Sequence, residues 1–252
     1  MTDSFEYAAY DIIASMYEKH VEGKSLNVFP AIEHFVLSKN PEGSTILDVC
    51  CGTGKVTEAL QQRNYKMTGF DGSSKMVEVA SAKVPDASFF VADARDFTVD
   101  EPFDAALCLC DSLNHTIKLN ELEMIFTNIA QALKPGGTYL FDLRMEEGFE
   151  YYWGQDNNEI NFNVVEDDVV CTAHTTYDKA SGDGRLTITS FHRAGELWQR
   201  HDSIIDQKCY SEQEIRSSLT NAGFENIYMF RVKEDFGADE IGRAIFVCTK
   251  VA

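Results

Sequence analysis

The chain has 252 residues, of which 44% are hydrophobic and 25% charged. That composition is enough to bury one large core, or one core plus a small appendage, and it excludes a disordered, collagen-like or disulfide-stapled chain. Twenty-two Lys and Arg against 41 Asp and Glu leave a formal charge of −19, so most of the surface repels a phosphate backbone and nucleic acid is not expected as a partner. The acidic start MTDSFEYAAYD has neither a basic nor an apolar leader segment. No run approaches the ~18 apolar residues of a membrane span, so a cytoplasmic protein without a membrane partner is expected.

Residues 3–39 carry two helical patterns. YAAYDIIASMY spaces Ile12, Ile13, Met16 and Tyr17 on one side, and FPAIEHFVLSK does the same with Ile32, Phe35 and Val36. From 45 to 142, short apolar runs alternate with helical patterns: TILDVC, KVTEALQQR, YKMTGFD, SSKMVEVASAK, ASFFVAD, FDAALCLC, ELEMIFTNIAQAL and TYLFDL. Ser73 or Ser74 is available to cap the second helix of this block, and KPGG reads as the stop of the third. Strands alternating with helices predict right-handed crossovers and a parallel, doubly wound α/β sheet covered on both faces. The two N-terminal helices are expected to cap one edge or the mouth of this sheet.

The texture changes over 157–208, where NEINFNV, DVVCTAHTTY, RLTITSF and ELWQRHDSII alternate polar and apolar residues, with SGDG as a turn. This predicts an inserted antiparallel sheet with one wet face. SEQEIRSSLTNAGF returns to helix, opened by Ser211 with Glu214 three residues on and closed by Gly223. NIYMFRV and RAIFVCTK end the chain as strands joined by an acidic loop. The expected division is a helical cap at 1–42, a sheet domain at 43–150 with 209–252, and an insertion at 151–208. The seven cysteines, Cys50, Cys51, Cys108, Cys110, Cys171, Cys209 and Cys248, lie within apolar runs as reduced core thiols. No zinc-like spacing occurs among them, and no metal is expected.

In an open parallel sheet, ligands lie beyond the carboxyl ends of the strands near the switch point of strand order. Four such ends carry polar residues. ILDVCCGTGKV holds Asp48, Gly52 and Gly54, where glycine serves either a tight strand-to-helix turn or a close approach to ligand. Thr57 fills the slot that a dinucleotide fingerprint reserves for its third glycine, and no phosphate-binding loop is present. Asp71 ends the second strand about 20 residues after the loop, where a carboxylate accepts from a ribose diol or caps the following helix. Asp93 ends the third, as an acceptor for an exocyclic amine or as a solvated turn. The fourth end is Asp111, Ser112, Asn114 and His115. The joint pattern describes a site for a nucleoside without phosphates.

At LDVCCGTGKVTEAL, GFDGSSKMVEVA, FFVADARDF, FDAALCLCDSLNH and ALKPGGTYLFDL, residues 45 to about 142, the sequence resembles the class I S-adenosylmethionine-dependent methyltransferases. The insertion, the N-terminal tyrosines and DSLNH resemble the small-molecule branch, which includes amino-sugar N-methyltransferases and glycine N-methyltransferase-like enzymes. The resemblance implies a seven-stranded, mostly parallel Rossmann-like sheet with its last strand antiparallel. It implies S-adenosylmethionine as cofactor, S-adenosylhomocysteine as product and a small-molecule acceptor, most readily an amine. Asp48 would support the glycine loop, Gly52 and Gly54 would approach the methionine end, Asp71 would take the ribose hydroxyls, and Asp93 with Ala94 would meet adenine. Gly72, Met76, Cys110 and Asp111 would complete the cofactor site. Cys50 stands at the family's first loop glycine and belongs to the implied cofactor site, its side chain being tolerated there if it points into the core. An N-terminal tyrosine would close over the sulfonium, Tyr10 or Tyr17 before Tyr7.

A sulfonium methyl is already activated, so the protein supplies alignment, a dry pocket and a base for the acceptor. His115 is the expected base, or else a histidine bonded to the next helix. Asp111 orients a cationic group or simply opens a helix. Asn114, Tyr152, Trp153 and Arg200 are expected to line the acceptor side, with Trp198, His201 and Tyr151 as further large side chains; as strand residues with a wet face, all but Asn114 need no such role. The insertion is either a lid or a dimer surface, the protein a monomer or homodimer. An O-methyltransferase, a nicotinamide-dependent oxidoreductase and a non-catalytic nucleoside-binding module are the competing readings.

Overall fold

A computed structural model describes residues 7–20, 26–154 and 162–252. The beginning of the first insertion strand expected from the sequence, 157–161, lies outside the described residues. The elements in chain order are α1 Ala8–His20, α2 Phe29–Ile32 running into a π turn Glu33–Leu37, β1 Thr45–Val49, α3 Lys55–Gln61, β2 Lys66–Asp71, α4 Ser74–Lys83 and β3 Ser88–Val91. They continue as β4 Phe103–Cys108, a 3-10 turn Ser112–His115, α5 Leu119–Ala132, β5 Leu133–Arg144 and α6 Glu146–Trp153. Strands β6 Phe162–Val165, β7 Val169–Asp178, β8 Asp183–Ala194 and β9 Leu197–Lys208 form the insertion, and α7 Glu212–Asn221, β10 Phe224–Arg231, α8 Val232–Phe236 and β11 Arg243–Lys250 close the chain.

The main sheet has seven strands in the order β3-β2-β1-β4-β5-β11-β10. The first five are mutually parallel, and β11 runs antiparallel to both β5 and β10. The order reverses between β1 and β4, where Asp48 lies opposite Leu107 on one side and Gly69 on the other. Period-two alternation divides the strands between two cores. Leu47, Cys108, Tyr139, Phe141 and Phe246 face α5 and α7, and Ile46, Leu107, Leu140 and Ile245 face α2 and α3. Phe141 and Phe246 stack at 5.2 Å. Both faces being dry explains why the strands read as continuous apolar runs.

The insertion forms a separate antiparallel sheet, β6-β7-β8-β9. On β7, Cys171, Ala173, Thr175 and Tyr177 are buried while the residues between them are not, which is the expected wet-and-dry alternation. Its dry face packs against Ile13 and Met16 of α1. Helix α1 therefore spans the mouth of the main sheet, whereas α2 lies on one of its faces. The cysteines of the described residues are all free thiols, and no helix among those residues is long and apolar enough to cross a membrane.

Four local expectations change. Helix α5 stops at Ala132 with Leu133 already extended, so KPGG belongs to β5, where Gly136 takes φ +76. The second N-terminal helix becomes a π turn after one α turn. Tyr151, Tyr152 and Trp153 are helical rather than strand residues, because α6 buries Phe149 and Trp153, four apart, against Tyr177; α6 also crosses the boundary expected at residue 150. The acidic loop before β11 contains α8. Helix α7 starts with the expected capping box, Ser211 N–H donating to Glu214 Oε2 at 2.8 Å.

Candidate active site

The carboxyl ends of β1, β2, β3 and β4 surround a cavity of about 340 Å³, roofed by α1 and walled by β9. That is within the range of small-molecule sites. After β1 the backbone turns through three left-handed residues, Cys50 (φ +56), Gly52 (φ +54) and Gly54 (φ +83). Of the two glycines, Gly52 alone is exposed to the cavity. A Cβ there would find nothing nearer than Tyr17 Cε1 at 3.8 Å. Gly54 is outside the lining; a Cβ would come within 3.0 Å of Ala80 on α4, so this glycine serves helix packing. Asp48 also lies below the cavity, buried and accepting from Thr57 Oγ1 at 2.6 Å. Thr57 thus ties the first turn of α3 to β1. Cys50 packs on the core and lines the cavity as well.

Asp71 ends β2 and receives the N–H of Gly52 at 3.0 Å on Oδ2 and that of Ser73 at 2.9 Å on Oδ1. Burial pushes its carboxyl above the usual range, and these two N–H groups oppose the rise. It does not cap α4, because Ser73 does so itself, accepting from Met76 N at 3.1 Å. Asp11 of α1 takes the Ser73 hydroxyl at 2.6 Å and so pins α1 to α4. Gly72 and Met76 line the cavity, but the bare Cα of Gly72 is covered by the Tyr7 ring, whose Cε1 would lie 2.2 Å from a Cβ.

Asp93 and Ala94 line the cavity at the end of β3. Arg95 grips the Asp93 carboxylate with Nε at 2.9 Å and Nη2 at 2.6 Å, and reaches Glu121 at 3.4 Å. Burial raises the Asp93 carboxyl, but the Arg95 hydrogen bonds and charge outweigh it and hold the group below the usual range. Asp93 is a fixed anion, not a solvated turn.

After β4, Cys110 (φ +63) and Asp111 (φ +49) are consecutive left-handed residues that start the 3-10 turn. Strain of this kind persists only where surroundings over-determine it. Here Asp111 N–H donates to Asp142 at 3.3 Å and the Asp111 carboxylate pairs with Arg144 at 3.2 Å, while Asp142 forms a buried ion pair with Arg243. Burial pushes the Cys110 thiol up to about 12, so it lines the cavity uncharged. Asp111 stays outside the lining, committed to Arg144. The turn delivers His115 into the cavity, with Nε2 2.9 Å from the Tyr10 hydroxyl and 3.1 Å from Gln207 Nε2. Tyr10 meets the imidazole edge-on at 5.5 Å, and Tyr17 meets Tyr10 at 6.3 Å. Burial keeps both phenols protonated, with neighbouring carboxylates, Asp111 foremost for Tyr10, adding to the effect.

The four residues expected on the acceptor side are elsewhere. Asn114 is fully buried; its Nδ2 donates to the Arg144 and Lys208 carbonyls at 3.1 and 2.8 Å and its Oδ1 accepts the Arg144 N–H at 2.9 Å. No polar atom of it is left for a ligand. Its replacement by leucine should lower unfolding free energy by about 1–3 kcal/mol, read by denaturant titration. Arg200 lies exposed on β9, paired with Asp202 at 2.9 Å; alanine there should leave turnover unchanged. Tyr152 packs under the Arg144 guanidinium, and Trp153 lies in the α6 core. Sequence reasoning missed Arg95, Ile204, Ile205 and Asp206 among the lining residues, and Gln207 behind His115. The only sequence signal was the position of Arg95 two residues after a strand-end aspartate.

A methyltransferase-domain family model matches residues 46–137. The chain is 32% identical over 201 residues to the dTDP-3-amino-3,4,6-trideoxy-alpha-D-glucopyranose N,N-dimethyltransferase of Streptomyces venezuelae, covering 79% of this chain and 82% of that one. An S-adenosylmethionine-dependent methyltransferase from Clostridium acetobutylicum ATCC 824 matches in fold with a TM-score of 0.75 at 22% identity, over 97% of this chain and 100% of that one. S-adenosylmethionine-bound CalS10, an amino pentose methyltransferase from Micromonospora echinaspora, matches with 0.69 at 18% identity over 95% and 97%. The glycine turn, the strand-end carboxylates and these likenesses agree: the chain belongs to the S-adenosylmethionine-dependent methyltransferases.

Proposed function

We propose that the cavity holds S-adenosylmethionine along the tips of β1, β2 and β3 and presents it to the amine of a small-molecule acceptor, with His115 as the proton acceptor. The reading is supported above all by the His115–Tyr10 contact of 2.9 Å inside the cavity, beside the tip of β4. The open backbone at Gly52 and the remaining lone pairs of Asp71 suit an amino acid end and a ribose diol. Bound S-adenosylmethionine supplies a methyl group already activated for displacement. The chain aligns the acceptor, keeps water out and takes up its proton. Asp71, Asp93 and Asp206 line the cavity, and Arg95, the one cation among its described lining residues, is held by Asp93 and Glu121. This charge balance favours an amine over an anionic acceptor. Ile204, Ile205 and Asp206 of β9 support the insertion as the acceptor-side wall.

Calorimetry with S-adenosylmethionine, S-adenosylhomocysteine and NADH, followed by a methylation panel of amines, hydroxylated metabolites and phenols, tests the reading. Binding of the first two and methylation of amines is the expected result; NADH binding alone, or methylation confined to hydroxyls, overturns it. Asp71→Ala should weaken S-adenosylhomocysteine by about 1.5–3 kcal/mol. In the native protein, affinity should be constant while Asp71 is ionised and fall as pH drops through its raised pKa, above the ordinary 3.8. Protonation costs the diol one of its two acceptors. Affinity flat to pH 4 would place the ribose away from Asp71.

A further inference from the structure

Gln207 lies on β9 in the insertion, 5% exposed, with its amide nitrogen 3.1 Å from His115 Nε2 and its Oε1 buried without a partner among the described residues. Buried amide oxygens are seldom left unpaired. The two ends of a carboxamide are nearly the same size, so a half-turn of the group places oxygen where nitrogen stands and moves nothing else. Asn114 stitches the two backbones together at this point, donating to the Lys208 carbonyl at 2.8 Å from the residue preceding His115. Gln207 is thus fixed opposite the imidazole.

We propose that Gln207 is a positioning residue for His115 that holds the imidazole in place in both protonation states, donating its N–H to the neutral ring and accepting from the protonated one after turning over its amide. A base that gains a proton during each turnover needs a neighbour able to reverse its polarity, or the ring would swing away once charged. Tyr10 on the same nitrogen is also amphoteric, which leaves the pair able to follow the proton without rearranging the cavity. Among the described residues, the charged groups near the ring include Asp111, itself held by Arg144, and Asp206, which lines the same cavity from β9. The functional significance rests on His115 being the proton acceptor; the physical contact does not.

The test replaces Gln207 by Glu and by Leu and follows the His115 ring carbon-bound proton by NMR in the cofactor-free protein, with kcat/KM against pH for the best amine of the panel. Glu sets a negative charge beside the ring, which favours its protonated form, and should raise the His115 midpoint by about 1 to 3 pH units, carrying the acidic limb of kcat/KM up by the same amount. Leu removes both bonds, and because the one accepted from the charged ring is charge-assisted and the stronger of the two, the midpoint should fall; this variant also decides the matter should the Glu protein fail to fold. A midpoint unmoved in a folded variant overturns the proposal. A midpoint that moves while the acidic limb stays still upholds the contact but refutes His115 as the proton acceptor.

Discussion

Replacing His115 by alanine should lower turnover by about 10²- to 10⁴-fold, the span of a lost general base, while S-adenosylhomocysteine affinity stays near that of the native protein. The asymmetry follows from placement. His115 stands at the tip of β4 against Tyr10, whereas the cofactor-side carboxylates Asp71 and Asp93 belong to β2 and β3. An amine that arrives as an ammonium ion has no lone pair to attack with, and the unprotonated Nε2 relieves it of that proton. Tyr10 does not replace the imidazole, since burial holds its hydroxyl protonated; that hydroxyl, 2.9 Å from Nε2, orients the ring. Single-turnover rates together with calorimetry measure both quantities. Undiminished turnover across the pH range would make His115 a wall residue only.

Arg243→Leu should destabilise the fold by about 3–5 kcal/mol, because breaking a buried pair strands the other charge. Asp142 is completely buried, and Arg243, on the neighbouring strand β11, is its cation. Burial drives the Asp142 carboxyl up, Arg243 opposes this and Asp111 adds to it. Without the guanidinium, Asp142 folds most easily as the neutral acid, so its folded pKa lies above its unfolded one. The added penalty is therefore absent well below the unfolded pKa and develops as pH rises through the folded value. Denaturant titration at two pH values should show the variant closest to native at the acidic one. Asp142→Leu with Arg243→Leu should recover most of the loss, and equal loss in both would indicate packing rather than charge. Asp142 also holds the left-handed Asp111 N–H at 3.3 Å, so the single variant should loosen the turn that carries His115 and lose activity before it unfolds.

The sheet was legible because two buried faces leave unbroken apolar runs such as FDAALCLC, and because helix signals such as Ser73 and the Ser211–Glu214 box are local. Helix α6 escaped because its opening residue Met145 offers no side-chain cap and its aromatic cluster mimics a strand. KPGG misled since Gly136 bends the start of β5 instead of ending α5. The strand-end carboxylates could be placed from the sequence, as a parallel topology gathers those ends by necessity. Partner choice could not. Tyr10 and Gln207 reach His115 across 105 and 92 residues, and nothing near Asn114 or Arg200 announces that one clamps two carbonyls and the other pairs with Asp202 on an exposed strand. Gly54 and Gly72 show the same limit, since the close approach of Ala80 to one and of the Tyr7 ring to the other comes from residues distant in sequence.

A crystal structure with S-adenosylhomocysteine measures most directly whether the tips of β1, β2 and β3 form one crevice for the adenosyl amino acid. The ribose hydroxyls should lie within hydrogen-bond distance of Asp71, the amino acid end against Gly52 and the sulfur toward His115. Density for the nucleoside anywhere else, out of hydrogen-bond reach of Asp71, would contradict it.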